Sequence, residues 1–425
     1  MQTNNRPGLR NGGSSDAAIR DIAAGNSRTS VTFLPEPARR ERWHLLISAD
    51  DHVVEPAHLF EGRVPRALAD RAPRIVETDT GDQEWVYEGS RQSQMGLSAV
   101  AGRPISECTN EPTRFEHMRR GAWDPTARVA DMDTDGVYAS VNFASALCGF
   151  AGQRLQLGVD AELGLAVLRA WNSWFLEEWS GSHPDRFIPC QLPWLGDPDV
   201  AASEIRANAA RGYKAVAFTE GPHELGLPSL HSGHWDPFFE ACEETGTVVC
   251  LHVGSSSTIP TTAPDAPGDT IAALFFGYSM FFTVDWLFSQ VPIRFPGLRI
   301  VMAEGGLGWV PGLMDRLVHM ERYQQIFGSW DRRGPTPLEV LRRNFYFCVI
   351  EDAMTLRIAD SVGVDRILVE SDYPHLDSTW PDTQPVMWGQ LGRLAPDARE
   401  AIAWRNAAAL FRHEVTPAQV DAFLT

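Results

Sequence analysis

A chain of 425 residues with 37 Lys+Arg against 55 Asp+Glu carries a formal net charge of -18. It offers no basic stripe to neutralise phosphates, which argues against a nucleic-acid partner. Hydrophobic residues at 44% suffice for a large core. No run reads as apolar for long enough to span a bilayer and no apolar signal core opens the chain, so neither membrane insertion nor export is expected. The six cysteines, Cys108, Cys148, Cys190, Cys242, Cys250 and Cys348, form no C-x-x-C pair. They read as reduced thiols of a cytoplasmic protein.

In chain order, residues 1–40 are polar and rich in Gly, Ser, Asn and Arg, and are expected to form a flexible arm. Residues 41–425 read as a single domain. Short apolar runs alternate there with helical patterns such as "DVAASEIRANAARG", the signature of βαβ units and a parallel sheet. Strands are expected at Leu45–His52, Gly136–Phe143, Phe187–Leu192, Ala215–Glu220, Val248–Val253, Arg299–Glu304, Phe345–Ile350 and Arg366–Glu370. Eight strands with intervening helices predict an α/β fold, a (β/α)8 TIM barrel. An open doubly wound sheet is the runner-up, but no G-x-G-x-x-G follows any strand. Residues 60–125 are too long for a plain connection after the first strand and include a hairpin pattern, "QEWVYEG". They are expected to form an insertion or lid over the barrel mouth. "FFGYSMFFTVDWLF", Phe275 to Phe288, reads as a buried helix at a subunit interface, which makes a homodimer the expected assembly.

In such a barrel the chemistry collects at the C-terminal ends of the strands. Asp50-Asp51-His52, Thr219-Glu220, His252, Glu304 and Asp372 all fall there. Asp50 and His52 are two apart and share one face of their strand, with Asp51 on the other. A carboxylate and an imidazole converging inward fit a divalent metal, and His252 and Asp372 can complete the set from across the barrel. Each residue also has a plainer reading. Asp50 or Asp51 could cap the following segment, His252 could be a satisfied core histidine, and Asp372 before Tyr-Pro could set up a turn. Their coincidence at one end of separate strands favours the site.

Four stretches, "DDHVVEP", "WDPFFEACEETGTVVCLHVGSS", "FPGLRIVMAEGGLGWVPGLMDRL" and "ILVESDYPHLDSTWP", with a final "RNAAALF", resemble the amidohydrolase-related family. Within it they are similar to the branch containing 2-amino-3-carboxymuconate-semialdehyde decarboxylase. The resemblance covers residues from about 45 to 412. It implies a (β/α)8 barrel with one catalytic divalent ion, zinc or manganese. Asp50 stands where the family often has the first histidine of His-x-His, and His52 matches the second. His252 and Asp372 match the ligands of strands five and eight. Glu304, before Gly305-Gly306, takes the place of a common catalytic histidine. The resemblance thus implies Asp50, His52, His252 and Asp372 as metal ligands. Asp372 would act as general base and Glu304 as proton shuttle beside His252.

The expected activity is metal-dependent hydrolysis, with an activated water attacking an amide, ester or activated carbon–carbon bond of a small aromatic or apolar substrate. One alternative is non-hydrolytic decarboxylation of a small aromatic or unsaturated carboxylic acid. Another is a catalytically decayed barrel acting as a binding protein. The preference for hydrolysis rests on Asp50, Asp372 and Glu304, three acids around one ion and a poor field for a substrate carboxylate. Arg103, Arg119 or Arg120 of the lid could compensate. The only lysine, Lys214, precedes strand four, on the wrong side for the carboxylated lysine that bridges two metals in binuclear amidohydrolases. Metal analysis of the active protein is therefore expected to return one divalent ion per chain, and two would contradict this reading.

Overall fold

The computed structural model of the protein describes residues 31–425 apart from 80, 94–95, 109–113, 146, 259–260, 324–327 and 329. Most of the expected flexible arm thus lies outside the described residues.

The strands in chain order are β1 (Ile47–Val53), β2 (Arg74–Glu77), β3 (Gln83–Tyr87), β4 (Ser90–Ser93), β5 (Ala139–Ala144), β6 (Phe187–Ile188), β7 (Cys190–Gln191), β8 (Ala215–Phe218), β9 (Val248–His252), β10 (Ile300–Ala303), β11 (Phe345–Val349) and β12 (Ile367–Val369). Nine of them form one parallel sheet in the order β6-β5-β1-β12-β11-β10-β9-β8-β7. The two ends of that order are halves of one expected strand, interrupted at Pro189, which has no N–H to give a ladder. Ser140 N donates to Arg186 O on one side, and Lys214 N to Pro189 O on the other. Residues 187–191 thus border both β5 and β8 and close the sheet into a barrel of eight strand positions. Every residue of β1, β5 and β8 to β12 is buried, as expected where helices cover a parallel sheet.

Helix ends follow the local sequence. The Asp124 side chain accepts from Ala127 N ahead of Pro125–Asp135, and Asp197 accepts from Asp199 N and Val200 N ahead of Pro198–Arg211. Pro occupies the first helical position in both, and a left-handed glycine, Gly136 or Gly212, ends each.

The "QEWVYEG" stretch does form a hairpin. β2, β3 and β4 make a small antiparallel sheet whose last turn, Glu88-Gly89, has φ of 48° and 76°. Further along the same connection, Val54 N donates to Ala122 O and Val100 N to Pro374 O. Val54, Ala99, Met118 and Ala122 share an apolar cluster. This part of the connection therefore lies against the residues that leave β1 and β12 at their C-terminal ends. Within 31–40, Leu34 N donates to Gly102 O, and Glu36 makes a two-pronged pair with Arg119 at 2.9 and 3.0 Å.

The helix Gly268–Phe288 corrects one expectation. By length and composition alone it is apolar enough to cross a membrane. Ile271, Phe282, Trp286 and Leu287 are buried, while Leu274, Phe276, Met280 and Phe281 are exposed. It is half-buried rather than buried, and the expected homodimer would cover its open face.

Gln384 staples the entry to β1. Its Oε1 accepts from Trp43 N at 2.9 Å, and its Nε2 donates to His44 O and Gly136 O, both at 2.7 Å. Gln384→Ala leaves buried backbone groups without partners and is expected to cost roughly 2–4 kcal/mol. The loss should be read as a lower urea midpoint at unchanged slope.

Candidate active site

The first element of the site is an irregular strand. β1 pairs Ser48 with Ser140 but Asp51 with Asn142, so one extra residue is inserted between. Such bulges re-aim side chains next to active sites. Asp51 points away from the barrel axis, accepting from Ser48 Oγ at 3.0 Å and Ser371 Oγ at 2.6 Å, with buried Arg128 at 4.0 Å. Asp50 and His52 point the other way, where His52 Nε2 lies 3.4 Å from Asp50 Oδ1. Asp372 N donates to Asp50 O and His52 N to Tyr373 O, which carries the ladder beyond β12 and sets Asp372 beside Asp50.

The remaining members arrive from separate strands. His252, the last residue of β9, has Nδ1 2.7 Å from Val253 O, so Nδ1 carries the proton and Nε2 presents its lone pair. That Nε2 lies 3.0 Å from His52 Nε2, 3.4 Å from Asp50 Oδ2 and 3.4 Å from Glu304 Oε2. His52 Nε2 is also 3.3 Å from Asp372 Oδ1. Glu304 and Asp372 both have φ of 52°, a left-handed conformation that non-glycine residues adopt mainly where the surroundings impose it. Glu304 N is held by Glu370 Oε2 at 3.0 Å. A Cβ on Gly305 would stand 2.2 Å from Ser279 Oγ, so the turn after Glu304 needs glycine.

These distances fit a cation. Atoms about 2.1 Å from a shared ion stand about 3.0 Å apart at a right angle and about 3.4 Å apart at the tetrahedral angle. The carboxylate oxygens of Asp50 and Asp372 are buried, and among the described residues none accepts a hydrogen bond of good geometry, the nearest nitrogens being those of the histidines. Orphaned buried acceptors of this kind are costly unless something positive fills the gap between them. Asp50, His52 and His252 could hold one divalent ion, with Asp372 beside His52 and Glu304 beside His252.

The same crowding sets the protonation states. Burial, and then the charges of Glu370, Asp372, Glu304 and Asp51, push Asp50 well above the usual carboxylate range. Burial, and then Asp372, Asp377, Glu370 and Glu220, do the same to Glu304. Burial alone would also raise Asp372, but the attraction of His375 and the contacts from His375 and His52 outweigh it and hold Asp372 low. Burial lowers His52 to about 4 and takes His252 well below its ordinary value, so both imidazoles are neutral at neutral pH and free to offer a lone pair.

The sequence reading missed His375. Its Nδ1 lies 3.1 Å from Asp372 Oδ1, and its ring stacks on His52 with centroids 3.6 Å apart. His52, Asp372 and His375 form a second group with metal-ligand spacing. The i,i+3 spacing in "SDYPH" was an available signal. Phe150, whose ring lies 4.0 Å from His252 and 5.0 Å from His52, carried none. The lid arginines do not serve the site. Arg119 is engaged by Asp131 and Glu36, Arg120 by Asp124, and Arg103 donates to His117 O. Lys214 sits at the N-terminal end of β8, away from this centre.

A (β/α)8 barrel with a candidate mononuclear metal centre at the C-terminal ends of its strands is the class that fold and site define. The chain belongs to the amidohydrolase family, whose profile, described as Amidohydrolase, matches residues 58–413. It is 22% identical over 281 residues to the gamma-resorcylate decarboxylase of Rhodococcus jostii (strain RHA1), covering 60% of this chain and 78% of that one. An amidohydrolase of Mycobacterium avium subsp. paratuberculosis K-10 superposes with a TM-score of 0.63 at 24% identity, over 87% of this chain and 99% of the other. A dihydroxybenzoic acid decarboxylase of Polaromonas sp. JS666, solved with bound manganese and the inhibitor 2-nitroresorcinol, superposes with a TM-score of 0.61 at 18% identity, over 88% and 98%. At these identities the solved structures establish the shared fold.

Removing a group that merely orients a metal ligand typically weakens affinity about 10–100-fold. His375→Ala is expected to fall in that range. His252→Ala and Asp372→Ala should exceed it, read as metal retained after dialysis with the circular dichroism spectrum unchanged.

Proposed function

We propose that this protein is a non-hydrolytic, metal-dependent decarboxylase of a small aromatic carboxylic acid. The observation that carries the reading is the convergence of Asp50 on the Nε2 atoms of His52 and His252 and of Asp372 on that of His52, with no hydrogen-bond donor to either carboxylate among the described residues, in a family whose matched relatives include two decarboxylases of hydroxylated benzoic acids. Hydrolysis, the activity first expected from the sequence, has less support. It was preferred because three acids looked hostile to a substrate carboxylate. Desolvation and the neighbouring acids push the Glu304 carboxyl up, and two neutral imidazoles stand among the acids, so the field is weaker than three full negative charges. A decayed barrel would have no reason to keep four buried carboxylate oxygens unpartnered.

Asp50, His52, His252 and Asp372 would hold one zinc or manganese ion, and manganese fits the oxygen-rich set slightly better. When bound, that ion supplies the positive charge that draws in and polarises the substrate's oxygens. The chain's own residues do the rest. Phe150 walls the histidines against water and offers an apolar face to an aromatic ring. Glu304, which holds its proton, gives it to the ring carbon that bears the carboxylate. The carbon–carbon bond then breaks, its electron pair stays with the ring and carbon dioxide leaves. Asp372, held ionised by His375 and His52, keeps its negative charge throughout.

Incubated in heavy water with γ-resorcylate labelled in the carboxylate, the metal-loaded enzyme is expected to release labelled carbon dioxide and a product with deuterium at the vacated carbon. A product that retains the label would refute the reading. Glu304→Gln should keep the metal and lose roughly 10²–10⁴-fold in kcat, the usual contribution of a positioned acid.

A further inference from the structure

Thr219-Glu220 closes β8 at the same end of the barrel as His252, yet Glu220 is not among the groups gathered on the candidate metal centre. Its side chain is fully buried. Oε1 accepts from Gly254 N at 2.8 Å and from Ser256 Oγ at 2.9 Å. Oε2 is buried with no hydrogen-bond partner among the described residues. From Ser256 a line of hydroxyls leads outward. Ser256 Oγ lies 2.8 Å from Thr258 Oγ1, and Tyr278 OH donates to Thr258 Oγ1 at 3.2 Å. A hydroxyl has one proton to give. Ser256 gives its proton to Glu220, so it must accept from Thr258, which in turn accepts from Tyr278. Every O–H along the line therefore points toward the buried carboxyl. Tyr278 is half-buried, on the helix Gly268–Phe288, and the Met280 and Phe281 that follow it are exposed.

We propose that Glu220 and the hydroxyls of Ser256, Thr258 and Tyr278 form the route by which protons from solvent enter the reaction chamber. The inference rests on the decarboxylation reading. Each turnover breaks one carbon–carbon bond, forms one carbon–hydrogen bond and consumes one proton, in a centre where Asp50, His52, His252 and Asp372 are buried from water. Glu220 releases its proton from Oε2. Ser256 passes its own proton to Oε1, Thr258 to Ser256 and Tyr278 to Thr258, and a water replaces the proton of Tyr278. The Glu220 carboxyl then turns over, which brings its proton back to the chamber side, and the hydroxyls turn back to their starting orientation. No electrons move, and one proton has gone from water to the chamber. Burial pushes the Glu220 carboxyl up to about 8, which keeps a proton there at neutral pH. Its Oε1 is held by Gly254, two residues beyond His252, which places the carboxyl next to the loop that leaves the candidate metal centre. Glu220 and the hydroxyls are positioning residues here, because they act through other groups and do not touch substrate.

A purely structural role would only pin the loop after β9 to the end of β8, and exchange kinetics separate the two roles. In metal-loaded enzyme, the infrared band of a protonated carboxyl that disappears in Glu220→Gln identifies the group. After mixing with heavy water, that band should shift at once in the unaltered enzyme and roughly 10-fold or more slowly in Thr258→Val and Tyr278→Phe, since each breaks the line at one hydroxyl. Equal rates in all three proteins, or no band that Glu220→Gln removes, would overturn the inlet. With γ-resorcylate, Thr258→Val should lower kcat and raise the solvent isotope effect, with KM and metal content unchanged and partial rescue by formic acid. A kcat and isotope effect equal to those of the unaltered enzyme would also overturn it. If the unaltered enzyme releases no carbon dioxide from any hydroxylated benzoic acid, the decarboxylation reading fails, and the exchange experiment still decides whether the line carries protons.

Discussion

Two carboxylates flank one imidazole, Asp50 at 3.4 Å and Asp372 at 3.3 Å from His52 Nε2, with His252 Nε2 3.0 Å from the same atom and no donor among the described residues on either oxygen of Asp50 or Asp372; this sets the terms for the rest of the barrel. Like charges at that spacing in a dry interior repel strongly, so the fold has to hold them by other means. It does so through the backbone. The bulge in β1 aims Asp50, the Asp372 N to Asp50 O bond ties the two acids' strands together, and left-handed turns at Glu304 and Asp372 bend both side chains inward. A cation between the ligands is the natural counterpart of that arrangement.

The surroundings of the centre are organised by the same requirement. Asp51 turns outward onto Ser48 and Ser371, where Arg128 compensates it. Glu55 is buried and accepts from Ser145 N at 3.0 Å and Trp171 Nε1 at 3.3 Å, anchoring the start of the loop that carries Phe150. Glu370 and Glu220 are held by backbone and hydroxyl donors. Among the described residues, Asp51, Glu55, Glu220 and Glu370 thus each have a hydrogen-bond donor, while Asp50 and Asp372 face the imidazoles.

Much of this was legible in the sequence. The eight strand positions were readable because strands covered on both faces are continuous apolar runs, as in "VVCLH" and "IVMA". Asp50, His52, His252, Glu304 and Asp372 could be singled out because they follow those runs directly. Phe150 could not, since a loop aromatic has no periodicity to mark it. His375 was overlooked because its role depends on a ring stacked over His52, which comes from the opposite end of the chain. The helix Gly268–Phe288 looked wholly buried because its apolar residues run all round it, and composition cannot say which side meets the barrel.

The sequence by itself determined the architecture, the family and the strand ends at which reactive groups emerge, because periodicity and residue type are local properties. Only the tertiary structure decided which of those groups meet. The bulge that aims Asp50, the stacking of His375, the pairing of Arg119 with Glu36 and the line of hydroxyls to Glu220 all join residues distant in sequence. Their positions follow from barrel closure and strand register, and therefore from packing across the whole chain.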